Sequence, residues 1–187
     1  MFRRTGLLVA ALAVAAGIAP VAAASTAPVS TSASAARAPY CGIMWGSQTK
    51  TVGEVTADTQ LTNIRAGRHG CFDRLVFDVR LGNVKWYSVK YVTAVLDATG
   101  RVVPLRGGAK LSITSLIADY EGMTGQQYPY PSRAEVVNVS GYPTFRQVAW
   151  ADSDRHFTEF GLGVRARLPF RVFTLPGRLV IDVAHRW

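Results

Sequence analysis

Of the 187 residues only two are cysteine, three are histidine and 12 are acidic. Each scarcity excludes something. The histidines, His69, His156 and His185, lie far apart, and His156 with Glu159 gives a lone H-x-x-E spacing that supplies too few ligands for a zinc site. Asp152 and Asp154 form D-x-D without the glycine and distal glutamate of a calcium loop. Neither G-x-S-x-G nor H-E-x-x-H occurs, and no carboxylates are paired in a way a sequence can display. GLGVRA, residues 161–166, fits G-x-G-x-x-A only formally. Pro169 and a β-rich stretch follow it, where a dinucleotide site needs a helix N-terminus. The chain therefore reads as non-catalytic, with no cofactor and no metal.

Long apolar runs are equally scarce. One begins at Leu7, behind Arg3 and Arg4, and ends near Ala19. It is short for a membrane span, and Ala22 and Ala24 match an A-x-A cleavage site, so residues 1–24 read as a signal peptide of a secreted protein. No second run of spanning length follows. Residues 25–39, almost wholly Ser, Thr, Ala and Pro, cannot bury enough apolar surface to fold and read as a flexible linker. Residues 40–187 have the size of a single domain.

Without Arg3 and Arg4, 19 of the 21 basic residues remain against 12 acidic ones, a charge of +7. A basic secreted chain is drawn to anionic surfaces such as wall polymers, and outside a cell nucleic acid is not an expected partner. Cys41 and Cys71, an even pair in an oxidising compartment, read as a disulfide.

From Leu75 onward, segments rich in Val, Tyr, Phe and Thr alternate with Gly and Pro, an all-β pattern. Residues 52–64 give only short extended signals. Residues 87–95 and 102–105 flank the turn at 97–100 as a hairpin, and further strands are expected at 111–116, 135–139, 145–150, 157–164 and 170–175. A helical turn is expected near Ala118. Residues 119–133, with Pro129 and Pro131, form the long irregular loop. Eight or nine mostly antiparallel strands with one disulfide imply a β-sandwich.

The hexamer RLVFDV, residues 74–79, returns as RLVIDV at 178–183. Period-two alternation turns Leu, Phe or Ile, and Val to a core, and leaves Arg and Asp on the other face. Antiparallel pairing would set each arginine opposite an aspartate. In the loop, Tyr128 and Tyr130 offer stacking surfaces for a sugar or peptide, and Arg133 and Arg146 offer paired donors for a carboxylate; packing in a loop-covered mini-core is the competing role for these rings.

HGCFDRLVFDV (69–79), the strand at 87–95 and LPFRVFTLPGRLVIDVAH (168–185) together resemble the AMIN-like domain of secreted bacterial proteins, over most of residues 41–187. The resemblance implies a β-sandwich that is a non-catalytic module, targeting peptidoglycan in cell-wall amidases and secretins. It makes Arg74, Asp78, Arg178 and Asp182 candidate contacts for a cell-wall glycan or stem peptide, with a structural ion-pair ladder as the competing role. The chain departs from the family pattern in having no appended amidase domain, in its cysteine pair and in the 119–133 insertion. The expected protein is secreted and wall-associated. An extracellular protein-interaction or inhibitor domain acting through residues 128–133, and a wall hydrolase whose carboxylates meet only on folding, are the alternatives.

Overall fold

The computed structural model describes residues 39–55, 59–120, 125–154 and 156–187. The expected signal peptide, residues 1–24, and all but the last residue of the 25–39 linker lie outside them. The described chain forms a single 3-10 turn, Tyr40–Gly42, and ten strands: β1 (Lys50–Gly53), β2 (Thr59–Arg68), β3 (Phe72–Arg80), β4 (Trp86–Val92), β5 (Ala109–Ser115), β6 (Ile117–Ala118), β7 (Phe145–Ser153), β8 (Thr158–Val164), β9 (Phe170–Leu175) and β10 (Arg178–Ala184).

They make two five-stranded sheets. One runs β1-β4-β5-β8-β7 and the other β6-β2-β3-β10-β9. All pairings are antiparallel except the short β2–β6 contact. Leu75, Phe77 and Val79 of β3 and Leu179, Ile181 and Val183 of β10 join Val89, Leu111, Ile113, Val148, Phe160 and Leu162 of the other sheet in one buried core. Phe77 meets Phe160 across the interface, with ring centroids 4.8 Å apart. The protein is an all-β sandwich, built by two-residue alternation on each facing strand.

The two hexamers are neighbours at the centre of their sheet. β3 and β10 pair antiparallel about Val76 and Val180, which sets Arg74 opposite Asp182 and Arg178 opposite Asp78. The long β2 arises where the sequence gave weak extended signals. Its pattern is broken by a bulge between Leu61 and Asn63, which hides a two-residue period from inspection.

Three local expectations fail for physical reasons. The 97–100 turn forms, with Asp97 Oδ1 accepting from Thr99 N (2.9 Å), Thr99 Oγ1 (2.6 Å) and Arg101 N (3.0 Å). The returning arm, however, pairs only briefly, through a Leu96–Val102 bridge flanked by the bonds from Asp97 N to Arg101 O and from Val103 N to Val95 O. Pro104 has no amide to donate, and the chain crosses the outer face of β8 and β7 instead, where Gln147 accepts from Arg106 N and donates to Pro104 O. Residues 135–139 form no strand: Val136 and Val139, three apart, are both buried, while Asn138 faces out and accepts from Ser140 N. The helical turn near Ala118 is the strand β6.

The crossing segment explains the glycines of 161–166. A Cβ on Gly161 would lie 2.5 Å from Leu105 Cδ1, and one on Gly163 would collide with the Arg106 carbonyl oxygen. These glycines admit a covering layer of backbone that a side chain would exclude.

Cys41 and Cys71 are bonded, 30 residues apart in sequence. The bond holds the 3-10 turn against the start of β3. On the chain-entropy model it contributes about 3–4 kcal/mol. Cys41→Ser/Cys71→Ser is expected to lower the denaturation free energy by that amount without changing far-ultraviolet dichroism. Gly163→Ala is expected to cost about 2–4 kcal/mol in chemical denaturation, because backbone on the far side of the Cβ cannot move cheaply.

Candidate functional site

The outer face of the β2-β3-β10-β9 sheet carries the residues singled out in the sequence. The pairing of β3 with β10 brings Arg74, Asp78, Arg178 and Asp182 into two clusters. Asp182, whose side chain is fully buried, accepts a two-pronged grip from Arg74, Nε to Oδ1 at 2.7 Å and Nη2 to Oδ2 at 2.9 Å. Arg171 of β9 donates to the same carboxylate through Nε at 2.8 Å. Asp78 receives Arg65 of β2 (Nε, 2.8 Å; Nη2, 3.1 Å), Asn63 Nδ2 (3.3 Å) and Arg178 Nε (3.3 Å). Each aspartate thus takes one arginine from the opposite hexamer and another from the adjacent strand.

The clusters differ in their surroundings. Asp78 is 22% exposed and Arg178 half exposed, so that cluster is worth little to stability. Aromatic rings surround the Asp182 cluster. Arg74 lies 5.2 Å from the Phe72 ring centroid and 5.5 Å from that of Phe173; Arg171 lies 5.1–5.6 Å from Phe173, Phe72 and Trp45. Trp45 packs on Phe72, and His69 stacks on the same ring at 4.5 Å. Both guanidinium planes are therefore fixed on one edge by a carboxylate and bordered by π faces, an arrangement in which cation–π attraction adds to the ion pairs. Phe72, Arg171 and Phe173 were not singled out in the sequence. Phe72 and Arg171 lie beside the hexamer pattern, but Trp45 reaches the face only through the disulfide-held segment.

The electrostatics follow the geometry. Hydrogen bonds to Asp78 and Asp182 raise the Arg65 and Arg74 guanidinium pKa values, so both stay charged. The Arg65 fork holds the Asp78 carboxyl below its ordinary 3.8.

The loop residues have a different setting. Tyr130 donates to Asp119 Oδ2 (2.8 Å), as do Trp150 Nε1 (3.1 Å) and Gln127 Nε2 (3.0 Å). Tyr130 lies 6.1 Å from the core ring of Phe160 and edge-on to Tyr128 at 4.9 Å. Burial foremost, then the charge of Asp119, pushes its phenol pKa up, so it remains a donor. Arg133 covers the Trp150 ring at 4.3 Å and donates to Gln127 Oε1. Tyr128 and Tyr130 are packed against the core, and residues 121–124 of their loop lie outside the described residues. Ser47 and Lys50 have the S-x-x-K spacing of some serine hydrolases. Here that stretch is non-helical, bends at Gln48 and enters β1 at Lys50, whose Nζ lies over the Phe170 ring at 5.4 Å, so the two side chains do not share a helix face.

Removing the charge of Asp182 strands two partly buried arginines. Asp182→Asn is expected to cost about 3–5 kcal/mol in urea denaturation, and Asp78→Asn less than about 1 kcal/mol. Because the folded pKa of Asp78 is depressed, its contribution is complete above the ordinary 3.8 and is lost as pH falls through the lower folded value. Melting temperature in the wild type should therefore drop below about pH 4 more steeply than in Asp78→Asn.

Neither a curated protein nor a solved structure matches the chain. The family model for the AMIN-like domain matches residues 59–185, which contain nine of the ten strands and both arginine–aspartate clusters, and the chain belongs to the AMIN-like domain family.

Proposed function

We propose that this AMIN-like protein is exported, freed of residues 1–24, and acts as a non-catalytic module that holds to the cell envelope, with peptidoglycan as its ligand. Family membership supports envelope association. The observation that carries the rest is the aromatic and guanidinium face around Asp182. Sugar rings stack on flat apolar faces, and their hydroxyl, amide and carboxylate groups take donors from guanidinium edges. Trp45, Phe72 and Phe173 supply the first property and Arg74 and Arg171 the second, on a twisted sheet broad enough for an extended polymer. The net positive charge draws the module toward an anionic wall.

The face is set before any ligand arrives, since Asp182 holds both arginines, so little side-chain entropy is lost on binding. Insertion of the 128–133 loop into a protein partner draws less support, because the Tyr130 hydroxyl and the Arg133 guanidinium already have protein partners. No helix among the described residues is long and apolar enough to cross a membrane.

Co-sedimentation of the purified protein with insoluble peptidoglycan tests the reading. Retention is expected to exceed that of a charge-matched control protein and to persist at 0.3 M salt, where exposed charges more than about 6 Å apart are largely screened. Trp45→Ala and Phe173→Ala should each weaken retention about five- to tenfold, while Lys90→Ala on the other sheet should leave it unchanged. Retention equal to the control, or lost at that salt, would leave charge attraction alone.

A further inference from the structure

A second polar depression lies away from the aromatic face. It has a volume of about 520 Å³ and is lined by Arg106, Glu135, Asn138, Ser140, Tyr142 and Arg146, among others. Arg146 is its fixed element. Nη1 donates to the carbonyl oxygens of Tyr142 (2.9 Å) and Phe145 (2.8 Å), and Nη2 to that of Pro143 (3.3 Å). Carbonyl oxygens orient a guanidinium without neutralising it. Among the described residues none of the acceptors of Arg146 is a carboxylate, and no hydrogen bond uses its Nε–H. Elsewhere in the molecule Arg65 and Arg74 grip aspartates through the Nε and Nη2 edge. Arg106 is already committed, to Glu135 and to the Arg146 carbonyl. The two cations and one carboxylate of the lining leave one positive charge uncompensated, and Arg68, whose Nη1 donates to the Gly141 carbonyl at 3.3 Å, adds a further cation at the margin.

The remaining lining supplies neutral partners. Asn138 Oδ1 is taken by Ser140 N, which leaves the Asn138 amide nitrogen as a donor beside the Ser140 hydroxyl. Tyr142 is braced from behind by Phe145, stacked at 6.0 Å, and by Arg68 over its ring at 5.8 Å.

We infer that this cleft is a subsite for a single carboxylate, gripped by the Nε and Nη2 edge of Arg146 and assisted by Asn138 and Ser140. The guanidinium fork fits carboxylate and phosphate alike, and it is Glu135 in the same lining that disfavours a doubly charged phosphate and leaves the singly charged carboxylate as the better match. The wall reading enters only in naming the source, either a peptide carboxyl terminus or an acidic amino sugar.

Amide chemical shifts of the whole purified protein are followed during titration with N-acetyl-alanyl-alanine, its C-terminal amide, N-acetylmuramic acid and inorganic phosphate. Saturable shifts at Asn138, Ser140 and Tyr142 are expected with the dipeptide acid or the acidic sugar, and whichever binds identifies the source. The dipeptide amide should bind at least about tenfold more weakly. Arg146→Gln should abolish the shifts. Because Arg146 also braces its own turn, Ser140→Glu provides the second variant: it keeps Arg146, places a carboxylate in the cleft and should block binding without lowering the melting temperature. Binding that is equally strong for the amide or for phosphate, or unaffected by Ser140→Glu, overturns the subsite. So does a lack of saturable binding for both carboxylates. If wall retention persists in that last case, the subsite fails alone and the envelope reading stands.

Discussion

One fully buried carboxylate organises the arginine–aspartate face of this domain. Asp182 sits on the outer face of a sheet where water would normally solvate it, and three strands meet at its two oxygens: β10 supplies the acid, β3 and β9 the arginines. A carboxylate with no access to solvent must have charged donors, and donors so placed lose their freedom. Register follows from the same interaction. Sliding β3 against β10 by one residue would turn Arg74 into the core and Leu75 outward, so the ion pairs and the hydrophobic alternation select the same alignment. The aromatic rings can then border the guanidinium groups because the groups are stationary.

The repeated hexamer is the linear trace of that arrangement. Arginine and aspartate spaced four apart share one face of a strand, and two antiparallel copies satisfy each other. The core positions, the final hairpin of β9 and β10 and the cysteine pair were legible for the same reason, since each rests on a pattern within a few residues or on simple parity. The second arginine at each aspartate was not legible. Arg65 and Arg171 sit on neighbouring strands, and nothing local marks them as partners of Asp78 and Asp182.

Other features were hidden by tertiary competition. Residues 102–105 have strand-like composition, but Val95 and Leu105 pack over Gly161 of β8 and draw the chain across the sheet. Gly161 and Gly163 are the complementary signal, visible in the sequence but interpretable only once the crossing segment is known. Tyr128 and Tyr130 illustrate the opposite hazard. Prolines do hold them in a loop, yet Asp119 and Phe160 draw the Tyr130 ring inward, as a mini-core would. The cleft at Arg146 depends on three backbone carbonyls converging on one side chain, which composition and spacing cannot encode.

The bond between Cys41 and Cys71 has a mechanical meaning as well as a thermodynamic one. It anchors the point where residue 40 enters the domain next to Phe72, at the margin of the aromatic face. A force applied at residue 40 is passed covalently to the residue that precedes β3, a central strand hydrogen-bonded on both sides, instead of peeling β1 from the edge of its sheet.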